Sequence, residues 1–237
     1  MDKDKLKKFI LQQKELYFID GIFLEQTPNF TTAPKSFSSP ITTDKEKSIE
    51  LLRQKINSCK KCPLGEYRLN PVFGEGNINA NLMFVGEGPG YNEDHLGRPF
   101  VGRAGDLLTK IIEAMKLSRQ EVFIANIVKC HPMKTNNPEL RNNDRPPTET
   151  EIESCLPYLI EQIKIIKPKV ICCLGSVSAK VLTKNDLPIT QLRGKIFNFY
   201  EDKQILVIPT YHPAALLRNP TLKKLVWDDM KLIMKYL

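Results

Sequence analysis

A three-layer α/β/α sandwich around a central, mainly parallel four-stranded sheet is the fold this sequence predicts, on three observations. Short, almost wholly apolar runs recur at Leu82-Met83-Phe84-Val85, at 122–128 and at 170–174. They lack polar alternation, as strands buried on both faces do. Longer segments of helical period separate them, as the crossovers of a parallel sheet require. Finally, 237 residues with 41% hydrophobic content suffice for one full core.

The elements follow in order. Leu6, Phe9, Ile10, Tyr17, Phe18, Ile22 and Phe23 stand among lysines and glutamines in a helix-like pattern, and residues 27–43, rich in Pro, Ser and Thr, read as a linker. The chain therefore divides near Asp44 into an extension, 1–44, and a globular domain, 45–237. Packing of the extension on the domain is favoured over a helix that touches DNA or docks repair or replication proteins. Next come a helix over 45–58, a cysteine loop, a strand over 81–85, a helix over 104–115 and a strand over 122–128. A Pro/Asn-rich loop, 132–147, leads to a helix over 149–167, a strand over 170–174 and a short helix over 176–182. An edge strand over 195–200 turns at Glu201-Asp202 into the last core strand, 204–208, and a helix over 222–237 closes the chain.

The strand at 81–85 runs into Gly86-Glu87-Gly88-Pro89-Gly90-Tyr91-Asn92-Glu93-Asp94 and on through Arg98-Pro99-Phe100-Val101-Gly102-Arg103-Ala104-Gly105. A glycine-rich loop at the carboxyl end of a parallel strand is where open α/β sheets bind ligands. Gly86 and Gly88 let the backbone approach a ligand, Glu87, Glu93 and Asp94 bring carboxylates, and Phe100 brings an aromatic face. The other strands deliver Asn126 and Pro209-Thr210-Tyr211-His212-Pro213 to the same edge. Polar groups converging from separate strands are what a site needs.

The chain holds six cysteines. Cys59-Lys60-Lys61-Cys62 is a CxxC pair, and Cys130 and Cys155 flank the Pro/Asn-rich loop. Four thiolates suit a tetrahedral zinc site or an iron–sulfur cluster, and the split second pair tilts the choice toward iron. Cys172 and Cys173 sit inside an apolar strand and read as core. With no signal peptide and no apolar run long enough to span a bilayer, a cytoplasmic, nucleoid-associated protein without disulfides and without a membrane partner is expected, acting as a monomer. The formal net charge of +8 favours a polyanionic partner.

The loop from Gly86 to Gly105, together with Thr210-Tyr211-His212-Pro213-Ala214-Ala215-Leu216-Leu217-Arg218, resembles the two motifs of the family-four, iron–sulfur uracil-DNA glycosylases. The resemblance covers roughly residues 47–237, with Gly88 where the family commonly has alanine. It implies a uracil-DNA glycosylase-like domain, a 4Fe–4S cluster on Cys59, Cys62, Cys130 and Cys155, and single- or double-stranded DNA containing uracil as substrate. It implies that Glu93 excludes thymine's methyl, with Asp94 or Tyr91 as substitutes, and that Glu87 helps stabilise the sugar cation and position water. Leu216, Leu217 and Arg218 become candidates for a wedge into the base stack, although proline followed by leucines is also an ordinary helix start.

The chemistry fits these residue types. A base must be everted and held by stacking and by its Watson–Crick edge, here by Phe100 and the Asn126 amide, whose donor and acceptor match uracil and mismatch cytosine. His212 supplies a donor for the negative charge that grows on uracil O2. Arg98, Arg103, Lys129, Lys134 and Arg141 are candidate phosphate contacts. The competing readings are a superfamily member that captures uracil-DNA covalently through a histidine, for which only His131 offers itself, a non-catalytic nucleic-acid-binding module associated with replication, and a zinc hydrolase.

Overall fold

Thr43 caps the first helix of the residues that the computed structural model describes, 43–237. Its hydroxyl accepts from the Glu46 N–H at 3.2 Å while the Glu46 carboxylate accepts from the Thr43 N–H at 2.7 Å, so two otherwise unpaired donors are satisfied reciprocally. The helix expected within 1–24 and nearly all of the linker lie outside the described residues.

This helix, α1 (Asp44–Asn57), turns Ile49, Leu52 and Ile56 inward. A short α2 (Leu64–Tyr67) follows the CxxC pair. The chain then forms β1 (Glu75–Gly76), β2 (Leu82–Gly86), α3 (Tyr91–Leu96), α4 (Arg103–Ala114) and β3 (Phe123–Asn126). After the long loop come α5 (Glu149–Ile166), β4 (Val170–Leu174), α6 (Ser176–Thr183), α7 (Ile189–Leu192), β5 (Phe197–Phe199), β6 (Asp202–Thr210), α8 (Pro213–Arg218) and α9 (Leu222–Met234). A second capping box, Thr148 with Glu151, starts α5, the helix that carries Cys155.

The sheet order is β1-β3-β2-β4-β6-β5. The four central strands are mutually parallel, and β1 and β5 pair antiparallel at the edges. The fold class is the expected one, with six strands where the sequence predicted four around the core. β5 was foreseen as an edge strand, whereas β1 has two residues and therefore no period to read.

Successive strand residues feed opposite layers. Met83, Val85, Ile171, Cys173 and Val207 join one core with α1, α5 and α6. Leu82, Phe84, Val170, Cys172 and Ile208 join the other with α4, α8 and α9. Cys172 and Cys173 are therefore core residues on different faces, each fully buried. Side chains such as Leu108 and Ile112, with no exposed surface, each contribute roughly 1.5–3 kcal/mol by leaving water. Two sealed cores hold the sheet rigid, and the carboxyl ends of β2, β3, β4 and β6 share one edge.

Candidate active site and four-cysteine centre

Gly86, the last residue of β2, is the register partner of Asn126, the last of β3. A Cβ on Gly86 would collide with Asn126 Oδ1 and stand 2.6 Å from Phe100 Cζ, so glycine is what lets amide and ring both close on the strand end. Gly88 is equally close-fitting, since a Cβ there would stand 2.7 Å from Val128 Cγ2. Asn126 is 2% exposed, and its Oδ1 is buried with no hydrogen-bond partner among the described residues. A buried polar atom left unpaired is costly, and this one is free to accept from a donor on a bound ligand.

Phe100 adopts a φ of 53°, a left-handed conformation uncommon for an aromatic residue. Arg119 clamps it from behind: Nη1 donates to the Phe100 carbonyl at 3.2 Å, Nη2 to the Pro99 carbonyl at 2.8 Å, and Nε to Glu75 at 3.0 Å. The Phe100 ring lies 5.6 Å from the His212 ring, tilted by 31°.

His212 is the N-cap of α8, and its Nδ1 accepts from the Ala214 N–H at 3.1 Å. Burial, reinforced by Arg218, draws its pKa down to about 4. The ring is therefore neutral at pH 7, and with Nδ1 accepting, its single proton resides on Nε2. Burial also pushes the Glu87 carboxyl above its ordinary value. Glu93 spends its carboxylate on the loop itself, accepting from the Val101, Gly102 and Gly90 N–H groups at 3.0, 3.3 and 3.2 Å.

One open cleft of roughly 1500 Å³, mouth included, opens at the carboxyl edge of the sheet, and Gly86 and the Arg119 clamp behind Phe100 do not line it. Glu87, Gly88, Glu93, Phe100, Asn126, His212 and Arg218 line it together. Tyr211, which the sequence brings to this edge with His212, lines it as well, as do Asp144, Arg145 and Pro146 from the long loop and Gly175 and Ser176 from a strand end, and these last five escape the sequence reading. Gly175-Ser176 directly after an apolar strand was the available signal. The long loop offered only composition.

A second, much narrower pocket is bordered by Cys59, Cys62, Cys130 and Cys155 with Arg68, Lys129 and Tyr158. Cys130 Sγ accepts from Arg68 Nη1 at 2.9 Å and Cys155 Sγ from the Lys129 backbone N–H at 3.2 Å. Burial pushes the Cys130 thiol up to about 12, with Arg68 acting in the opposite direction, so its ionisation needs further positive charge in the cavity. Among the described residues no three His, Cys, Asp or Glu side chains converge as a site for one metal ion. Four thiols bordering one cavity are a donor set that fits either an iron–sulfur cluster or a tetrahedral metal ion.

A sequence model of the uracil DNA glycosylase superfamily matches residues 73–231. A type-4 uracil-DNA glycosylase of Sulfurisphaera tokodaii is 49% identical over 192 residues, 78% of this chain and 83% of its own. This chain belongs to the uracil DNA glycosylase superfamily. The type-4 enzyme of Thermotoga maritima is 40% identical over 190 residues, 79% of this chain and 93% of its own. A type-5 enzyme of Pyrobaculum aerophilum is 25% identical over 182 residues, 70% of this chain and 76% of its own.

Within this superfamily frame, several sequence expectations change. Leu216 is 2% exposed and packs into the α4–α9 core, so it is no wedge, whereas Leu217 is 40% exposed. Lys129 is 1% exposed and reaches no phosphate. Asp94 is fully buried and accepts from the Leu69 and Asn70 N–H groups, and Tyr91 stacks on His95 with Arg141 over its ring. Neither borders the cleft, which leaves Glu93 as the one of the three candidates for the wall against thymine's methyl that does. Of the other phosphate candidates, Arg98 pairs with Glu75 at 2.7 Å, Lys134 donates to the Asn142 carbonyl at 3.3 Å, and Arg103 is exposed. His131 is buried, with Nε2 2.6 Å from the cleft-lining Asp144, and does not itself line the cleft, so it offers no exposed nucleophile for covalent capture.

Proposed function

We propose that this chain is a uracil-DNA glycosylase that initiates base-excision repair by hydrolysing the bond between deoxyribose and a uracil left by cytosine deamination. The carrying observation is the unpartnered Asn126 Oδ1, buried beside Phe100 at the end of two parallel strands. An everted uracil supplies what that oxygen lacks, its N3–H, while the Asn126 amide donates to O4. Cytosine has no N3–H and offers a donor where uracil offers O4, so it would leave the amide unpaired. Phe100 stacks on the base, held by Arg119 and its neighbours.

As the C1′–N1 bond breaks, its electron pair moves onto uracil and collects largely on O2. His212 carries its proton on Nε2 and donates to that oxygen without having to change protonation state. Glu87, in its ionised form, stabilises the sugar cation and orients the water that adds to C1′. Glu93, pinned by three backbone N–H groups, is the wall against thymine's methyl. Leu217 and Arg218, exposed on α8, fill the stack and hold the backbone as the base leaves, with Gly86 and Gly88 giving the base room.

Cys59 and Cys62 after α1, Cys130 after β3 and Cys155 on α5 would hold a 4Fe–4S cluster, which would supply structural cohesion rather than electrons, since the hydrolysis needs none. No helix among the described residues is long and apolar enough to cross a membrane, and a cytoplasmic monomer acting on chromosomal DNA, with residues 1–44 as a separate extension, completes the reading.

Single-turnover release of free uracil from a synthetic oligonucleotide tests it. Wild-type protein should release uracil, and Asn126→Ala and His212→Ala should each slow release by about 10²-fold or more with folding intact. Unchanged rates in both variants would remove the pocket assignment.

A further inference from the structure

Lys129 is 1% exposed, and a buried ammonium is costly unless well paired. A methionine of similar length would fill the same space at less cost, so its presence asks for a role that packing does not supply. Its Nζ donates to the Asn126 backbone carbonyl at 2.8 Å and to Gln162 Oε1 at 2.7 Å, and Gln162 Nε2 donates to the Phe73 carbonyl at 2.8 Å. Its backbone N–H meets Cys155 Sγ at 3.2 Å, and the next residue is Cys130. One residue thus touches both Asn126 and the four-cysteine cavity.

The placement matters because β3 ends at Asn126. Beyond it only the Ile127 and Val128 N–H groups continue the ladder, bonding Gly86 and Glu87 carbonyls. The ammonium holds the carbonyl end of the same peptide whose Ile127 N–H bonds the Gly86 carbonyl at 3.0 Å, so the plane at the strand's last residue, and through it the direction of the Asn126 side chain, is held from both sides. A base-reading amide misplaced by a fraction of an ångström loses much of its effect.

We propose that Lys129 is a positioning residue that ties the base-reading Asn126 to the four-cysteine site, so that the aim of the amide depends on the placement of Cys130 and Cys155. This rests on the pocket assignment under Proposed function. It makes the cysteine centre a support for base selectivity as well as for the fold.

The test compares wild-type holoenzyme with Lys129→Met and Asn126→Ala. Iron content and visible absorbance, the Kd for free uracil by calorimetry, and kcat and KM on uracil-containing DNA at two salt concentrations are measured. Lys129→Met should keep its iron, weaken uracil binding and lower kcat by about tenfold or more, and leave KM and its salt dependence unchanged. A shifted KM and salt slope with unchanged uracil binding would mark a phosphate contact and overturn the proposal. Wild-type uracil binding and kcat in Lys129→Met, with both lost in Asn126→Ala, would overturn it and leave the pocket standing; no loss in Asn126→Ala would fell the pocket itself. Should Lys129→Met fail to fold or lose its iron, Gln162→Met decides, since it removes the lysine's second acceptor without touching the cysteines. Weaker uracil binding with full iron supports the proposal, and wild-type binding overturns it.

Discussion

His212 shows how a single hydrogen bond sets a residue's chemistry. Because Nδ1 caps α8, protonation would put a second N–H against the Ala214 N–H, so the folded protein resists it. The folded value is about 4 against an unfolded value near 6.5. Between those values the unfolded chain binds a proton that the folded chain does not, so stability falls as pH drops through that window, by up to about 3 kcal/mol. Urea midpoints at pH 7 and pH 4.5 should show a larger acid loss in wild type than in His212→Asn; equal losses would contradict the lowered His212 value. Glu87 acts in the opposite sense, since burial raises its value and acid removes the charge that the reaction needs. The rate should decline on the acid side, and Glu87→Gln should have a lower plateau without that limb. The residue types of this site were legible in sequence because they follow strand ends. The tautomer was not, because it depends on which atom of His212 meets which backbone N–H.

At the scale of elements, α8 separates two leucines that the sequence could not tell apart. A helix starting at Pro213 turns by about 100° per residue, so Leu216 enters the core while Leu217 faces outward. Leu216→Ala should cost about 2–5 kcal/mol of stability, read by urea denaturation. Leu217→Ala should leave the midpoint nearly unchanged and slow uracil release from duplex more than from single strands, where no stack needs filling. Equal effects on both substrates would exclude a wedge. The strands and long helices were legible through their apolar period, and so was the edge strand β5. The short α2, α3 and α7, and the two-residue β1, span too few residues for a period to emerge. Lys129 was misread for a different reason. A lysine beside a cysteine in a basic protein resembles a surface charge until the fold supplies Asn126 and Gln162 as its partners.

Across the whole molecule, one sheet edge gathers the cleft while the cysteine centre lies beside α1 and α5. The two communicate through β3 and the loop that follows it, which carries Asn126, Lys129 and Cys130 within five residues. Cys59→Ala should therefore lose iron, seen as lost visible absorbance; full iron content would dismantle the ligand assignment. That the four thiols share a cavity was legible from their spacing and from the family motif, whereas the hydrogen bonds that Arg68 and Lys129 make to them were not. The central claim concerns the cleft, and a crystal structure of the protein with free uracil tests it most directly. The account predicts a base stacked on Phe100, with N3 and O4 on the Asn126 amide and O2 within hydrogen-bond distance of His212 Nε2. Uracil bound elsewhere, or lying in the cleft with the Asn126 amide still unpaired, would contradict it.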